Sequence, residues 1–383
     1  MKPFPGTLII VIMVCCISCF AGEAGDAATP GGADSGKALE GETQTLPEDY
    51  RFNVHAITPE EDWKKFEIHG FFEITSPVQG RDDESQQPST HFFDENELTL
   101  WIGKRITRKL SFNSEVEIQE GLKKYVLETF ALDYKVVDDF LVFRMGKFKY
   151  PFGIERLVED GPLDKLVDRP LPSIRIIPGT YSDVGGMFYG AVPLRWNTKL
   201  KYEIALTNGL EGPDPEDVQQ TWDNNSNKAV GGRIGYECLP GLEFGTSYSR
   251  GKYDEDNRLD IDFAGADVQY KRGNLEVRGE YVLSRVEQDT ADGGDYRRDG
   301  YYLQTSYRYP FHVNYLRYLE GVARFDSVDP NQEITDGNEA DRLAIGLNYS
   351  PMEHLELKFE HEIENEPGET IHGKTFVQAI FRW

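Results

Sequence analysis

Along residues 355–364, LELKFEHEIE, the side chains of Leu355, Leu357, Phe359, His361 and Ile363 share one parity, and Glu356, Lys358, Glu360, Glu362 and Glu364 share the other. Successive side chains of a strand point to opposite faces, so this stretch predicts a strand with one oily and one charged face. The same alternation sets Leu242, Phe244 and Tyr248 against Glu243, Ser247 and Ser249. It sets Leu275, Val277, Tyr281 and Leu283 against Glu276, Arg278 and Glu280, and Leu343, Ile345, Leu347 and Tyr349 against Arg342 and Asn348. Alternation bounded by turn residues predicts sixteen strands, the first eight near 66–74, 95–105, 110–119, 125–137, 140–148, 182–192, 198–207 and 229–237. The other eight are expected near 242–250, 261–271, 274–285, 299–309, 316–326, 340–349, 354–364 and 373–382.

Such strands could pack as a soluble sandwich, oily face inward, or close as a membrane barrel, oily face outward. The connections separate the two. Every second one is short: ITRK (106–109), DD (138–139), PLRWN (193–197), CLPG (238–241), RG (272–273), PFHVNY (310–315) and SPME (350–353). Those between are mostly long and polar, at 75–94, 149–181, 208–228, 286–298 and 327–339, with only the one near Glu120 brief. A membrane barrel has short periplasmic turns and long external loops, whereas a sandwich has no cause to alternate them. The expected fold class is therefore all-β: a sixteen-stranded antiparallel transmembrane β-barrel over 63–383, with an inward-folded constriction loop. Its apolar parity meets outer-membrane lipid and its charged parity lines a wet lumen. The last strand, TFVQAIFRW, brings Val377, Ala379, Phe381 and Trp383 to one face. A chain ending on an aromatic resembles the terminal signal of outer-membrane barrels, which implies recognition by the barrel-assembly machinery. Open strand edges are untenable in hydrocarbon, so this strand is expected to pair with the first.

Composition narrows the classes further. A mean hydropathy of -0.53 with 28% charged residues leaves no segment after the N-terminus near the roughly 20 apolar residues a spanning helix needs. That excludes a helical membrane protein and leaves a barrel open, because barrel strands need apolar residues only at alternate positions. A net charge of -25 without a basic stripe argues against nucleic acid as a partner. Residues 1–21 read as a secretory signal: Lys2, an apolar run from Leu8, and a small-residue cleavage site at Cys19-x-Ala21 or Gly22-x-Ala24. Ile17, Ser18 and Cys19 imitate a lipobox loosely, with Cys16 where an aliphatic is wanted. Residues 22–62 read as a disordered acidic linker, poor in large apolar residues, with a short helix near 59–65 capped by Thr58. After cleavage only Cys238 remains, so no internal disulfide is expected.

A barrel of sixteen strands is too wide for its own side chains to fill, so something else must set the bore. The longest connection, 149–181, carries Ile154, Leu157, Leu166, Leu171, Ile174, Ile176 and Ile177, which is oily for a solvated loop. An inward fold against the barrel wall would bury them; a cap on other external loops or on a neighbouring subunit would also do so.

GKFKYPFGIERL (146–157), DRP (168–170) and DVGGMFYG (183–190) look like the fifth strand, constriction loop and sixth strand of the phosphate-selective porin O and P family. The resemblance implies a trimeric sixteen-stranded outer-membrane channel, narrowed by its third loop, whose lumen cations draw in small anions such as phosphate. By position, Arg156, Arg169 and Arg175 are the loop residues that would serve, with Glu155, Glu159 and Asp164 beside them. Between Lys149 and Tyr181 five basic residues meet five acidic ones, so the loop is neutral. The lumen parity is mixed too: Arg278, Arg308, Arg324, Arg342 and Lys358 stand among Glu356, Glu360 and other carboxylates. Charged rings select ions at close quarters, but opposite strand neighbours also neutralise each other. An anion ladder and a neutralised polar wall both fit.

Other chemistry is thin. DEDNRLDID (254–262) is acidic but lacks the Gly and bidentate Glu of an EF-hand loop, and no phosphate loop, GxSxG or HExxH occurs. No catalytic residue, metal ligand or cofactor is expected. The expected role is passive diffusion of small hydrophilic solutes across a bacterial outer membrane. Its rivals are a lipase-type barrel, whose Ser, His and acid would have to converge from afar, and a surface scaffold with a plugged lumen.

Overall fold

The computed structural model describes residues 66–79, 95–120, 123–158, 161–178, 181–218, 222–289, 293–334, 338–367 and 372–383. The expected signal, the linker with its helix near 59–65, and Glu159 lie outside the described residues. Among the described residues there are sixteen strands: β1 Phe66–Gln79, β2 Glu95–Arg105, β3 Leu110–Gln119, β4 Lys124–Val137, β5 Leu141–Lys149, β6 Ser182–Pro193, β7 Lys199–Thr207 and β8 Ala229–Leu239. They continue as β9 Leu242–Lys252, β10 Asp260–Arg272, β11 Leu275–Val286, β12 Tyr296–Val313, β13 Leu316–Asp329, β14 Ala340–Met352, β15 Leu355–Asn365 and β16 His372–Arg382. Each pairs antiparallel with its sequence neighbours, and β16 pairs with β1, so the sheet is a closed barrel. Closure leaves no strand edge to be satisfied by hydrocarbon.

The burial pattern is that of a soluble protein turned inside out. On β14 and β15, Leu343, Ile345, Leu347, Phe359 and Ile363 are exposed, while Arg342, Glu356, Lys358, Glu360 and Glu362 are buried. Tyr248 and Leu283 are likewise exposed, and Glu243, Arg278 and Glu280 buried. The parity read from the sequence thus sorts residues between an outward apolar belt and an inward polar lining.

Some strand ends differ from the expectation. β12 runs through Pro310 to Val313, and its register against β13 shifts between Pro310 and Val313. Proline has no N–H for the ladder, and an extra residue at a bulge lets pairing resume beyond it. β14 runs on to Met352 with a shift between Tyr349 and Met352. There the Ser350 hydroxyl bonds to the carbonyls of Met352 at 2.9 Å and Leu355 at 3.1 Å. β1 and β13 also outrun their alternation, because backbone pairing continues past the level where the apolar pattern stops.

At the seam, the Trp383 N–H donates to the Gly70 carbonyl at 3.1 Å. A Cβ on Gly70 would stand 2.7 Å from the Trp383 indole and 2.6 Å from the Thr99 carbonyl, so only glycine lets the terminal ring lie there. Inside the same seam Phe71, Trp101 and Ile380 form a small apolar cluster.

Candidate functional site

The 150–181 connection leaves β5 and returns to β6 through a closed neck. Tyr150 N–H donates to the Tyr181 carbonyl at 2.7 Å, and their rings stack 4.4 Å apart. Beyond the neck the chain turns at Gly153, whose φ is +62°. A Cβ there would meet the Glu280 carboxylate, so glycine serves both the left-handed backbone and the close approach. Glu280 on β11 accepts from the N–H groups of Ile154 at 2.8 Å and Glu155 at 3.2 Å, and Ser247 on β9 accepts from Gly153 at 3.0 Å. Inward side chains of the wall therefore satisfy backbone donors that a buried loop would otherwise leave orphaned.

Two kinds of packing hold the rest. Leu171, Ile176 and Ile177, around a short helix at Leu171–Arg175, join Tyr150, Phe152, Ile261, Phe263, Val282, Val286 and Val328 in one apolar cluster. Leu166 plugs between Val322 and Ala344, over Gly346, where a Cβ would stand 2.5 Å from the leucine. The remaining contacts are ionic. Asp164 pairs with Arg278 at 2.8 Å, Lys165 with Glu320 at 3.1 Å, and Asp168 with Arg342 at 2.6 Å. Arg324 donates to the Asp168 carbonyl at 2.8 Å, Lys358 to the Gly161 carbonyl at 2.6 Å, and Glu360 accepts from the N–H of Asp168 at 3.0 Å.

Of the sequence-predicted loop residues, Glu155 is buried and accepts from the Tyr302 hydroxyl at 2.8 Å. Burial pushes its carboxyl above the ordinary range, against the pull of Arg278 and that hydroxyl. Arg156 pairs with Glu203 on β7. Arg175 pairs with Glu364 at the far end of β15 and with Glu366 just beyond it, both at 2.5 Å. The Arg169 carbonyl accepts from Arg342. Arg156 and Arg175 thus reach different parts of the wall, on β7 and at the end of β15. Asp164 is drawn to the wall by Arg278.

The predicted lumen charges are on the inward face; the arginines and Glu356 are in ion pairs, while Lys358 and Glu360 bond backbone groups of the ledge. Arg308 bonds Glu320 at 2.6 Å and lies 4.1 Å over the Tyr318 ring; Glu356 meets Arg382 at 3.5 Å. Arg324 and Arg342 share Asp326, at 3.0 and 2.8 Å, and Arg342 also bonds Glu362 at 3.1 Å. Asp326 and Tyr302 escaped the sequence reading, although their inward parity was available: Asp326 lies two residues after Arg324 on one strand, hence on the same face. Elsewhere Arg233 is held by Asp267 and by Glu243 at 2.8 Å, and Lys149 by Glu115 at 3.1 Å. Among the described residues no group of acids, histidines or cysteines is placed to hold a metal ion.

Comparison with known proteins agrees with this architecture. Residues 196–361 match the family model described as phosphate-selective porin O and P. A protein of Aquifex aeolicus (strain VF5), itself uncharacterized, is 26% identical over 313 residues, covering 71% of this chain and 70% of its own. Among solved structures, an anion-selective porin from Comamonas acidovorans superposes with a TM-score of 0.60 at 14% identity, over 83% of this chain and all of the other (100%). OmpF of Salmonella typhi, in complex with daunomycin, gives 0.57 at 13% identity over 83% and 98%. The matched segment begins after the stretch at 146–190 that first suggested the family. The chain is a closed sixteen-stranded barrel with the porin fold, and its residues 196–361 carry the match to the phosphate-selective porin O and P family.

Proposed function

We propose that the protein is a bacterial outer-membrane porin, passing small hydrophilic solutes passively and favouring phosphate-like anions. The observation that carries this reading is a belt of outward apolar residues around an inward charged lining, on which the 150–181 connection lies as an internal ledge. In this reading the ledge narrows the bore. The family match and the likeness to an anion-selective porin of Comamonas support the anion preference, and the trimer form of OmpT of Vibrio cholerae, a protein of similar fold, supports a homotrimer.

External acidic loops would repel anions from a distance, but at about 0.15 M salt the screening length is only roughly 8 Å. Charges beside the narrowing therefore dominate. Purified protein in a planar bilayer under a salt gradient is expected to conduct and to give a reversal potential favouring chloride or phosphate over potassium. Replacing Arg156, Arg169 and Arg175 with alanine leaves Glu203, Glu364 and Glu366 without those arginine partners, and the reversal potential is expected to swing toward cations. A wild-type channel already selective for cations would refute the anion preference. An unaltered preference in the triple variant would move the selecting charges to Arg278, Arg324 and Arg342. Absence of any conductance would favour a plugged scaffold, and lipid cleavage would favour an enzyme.

A further inference from the structure

The ledge is fastened in two chemically different ways. Its ends, around Tyr150, Phe152, Leu171, Ile176 and Ile177, are set in the apolar cluster. Its middle, 161–169, has one apolar plug, Leu166, and one bond from the neutral Asn348 amide to the Lys165 carbonyl at 2.9 Å, and is otherwise held mainly by charged groups. The Asp164 carboxylate sits on Arg278, the Asp168 carboxylate on Arg342, and the Asp168 carbonyl on Arg324. These are positions that an oxyanion would itself take on a guanidinium fork.

Two of those arginines are not saturated by the ledge. Arg278 Nη1 and Arg324 Nη2 are buried and have no hydrogen-bond partner, while Arg278 Nη2 is held by Asp164 and the other two nitrogens of Arg324 by Asp326 and the Asp168 carbonyl. Arg278, Gln304 and Arg324 lie side by side in register on β11, β12 and β13, so both open nitrogens belong to one inward row. A buried guanidinium N–H left unpaired is costly, which favours a ligand with several acceptor oxygens.

We propose that residues 161–169 form an oxyanion-sensitive latch. An oxyanion such as phosphate or sulfate seats on the open nitrogens of Arg278 and Arg324. It then competes with the Asp164 carboxylate for Arg278 and with the Asp168 carbonyl for Arg324, and loosens the middle of the ledge, while the apolar ends stay fixed. Chloride presents no paired oxygens to the fork and does not compete in this way. The inference rests on the channel reading for its consequence, a bore that responds to its own solute, but the release itself can be read without conductance.

The test uses the full chain in lipid, with inorganic phosphate or chloride at equal ionic strength. Leu166→Cys, in a background with Cys15, Cys16, Cys19 and Cys238 replaced by serine, places a single thiol under the ledge, and its rate of reaction with a small thiol reagent reports release. Phosphate is expected to raise that rate where chloride does not, and Asp164→Asn with Asp168→Asn is expected to raise it in both salts. In bilayers the wild type should hold one steady level in chloride and switch between levels in phosphate. Equal labelling in the two salts, or a double variant as protected as its parent, overturns the latch. Phosphate-dependent labelling in a protein that never conducts keeps the latch and refutes the channel.

Discussion

Replacing Asp326 with alanine is expected to lower markedly the temperature at which the folded barrel loses its fast-migrating form in detergent gels. Asp326 is fully buried and its carboxylate bonds Arg324 at 3.0 Å and Arg342 at 2.8 Å. Both guanidinium groups are themselves buried, so deleting the shared anion strips Arg324 of its carboxylate partner and leaves Arg342 with only Asp168 and Glu362. Breaking a buried pair by removing one partner costs about 3–5 kcal/mol, most of it the penalty on the charge left behind. Asp326→Asn keeps the shape and an acceptor oxygen, and a smaller loss is expected. Arg342 also reaches Asp168 and the Arg169 carbonyl, so the damage should spread to the ledge and make bilayer currents noisier. An alanine variant that unfolds with the wild type would show that Asp168 and Glu362 neutralise Arg342 without it, and that Asp326 contributes nothing measurable.

Removing Phe381 to Trp383 is expected to abolish insertion, with the truncated chain accumulating in the periplasm. The deletion strips β1 of its partners at Phe71, which faces Arg382, and Phe72, which faces Phe381, and of the Trp383 bond at Gly70. Each backbone group so exposed in hydrocarbon costs several kcal/mol, and no water is there to replace the partner. Gly70→Val tests the seam with the terminus intact. The added side chain collides with the Trp383 indole and the Thr99 carbonyl, and slower assembly is the expected result. A truncated chain that still reaches the membrane as a heat-modifiable species would mean that the barrel closes without these pairs.

The strands were legible because each one separates two solvents. Leu357 and Phe359 could not share a face with Glu356 and Lys358 in any strand, so alternation located the barrel even at low mean hydropathy. Strand ends were less legible, since the ladder through Pro310 and up to Met352 obeys backbone geometry that side-chain parity does not report. Within the ledge, the apolar residues announced that they needed cover, and Ile154, Leu166, Leu171, Ile176 and Ile177 have it, whereas Ile174 remains exposed. What covers them could not be read. Asp164 meets Arg278 across 114 residues and Asp168 meets Arg342 across 174, and nothing local in the sequence encodes such a pairing. Equal numbers of acids and bases in the loop hinted at neutrality, yet only the fold reveals that its acids neutralise the wall's arginines.

The inward ion pairs also bear on how the protein behaves when warmed. Hydration of charged groups grows less favourable as temperature rises, so the cost of taking Arg278, Arg324, Arg342 and their carboxylates out of water falls. Apolar packing gains nothing comparable over the same range, since its strength per unit area levels off. The charged middle of the ledge should therefore hold its ground against the apolar ends on heating, and cooling should favour the ends instead. A barrel braced in this way suits a hot habitat better than a cold one.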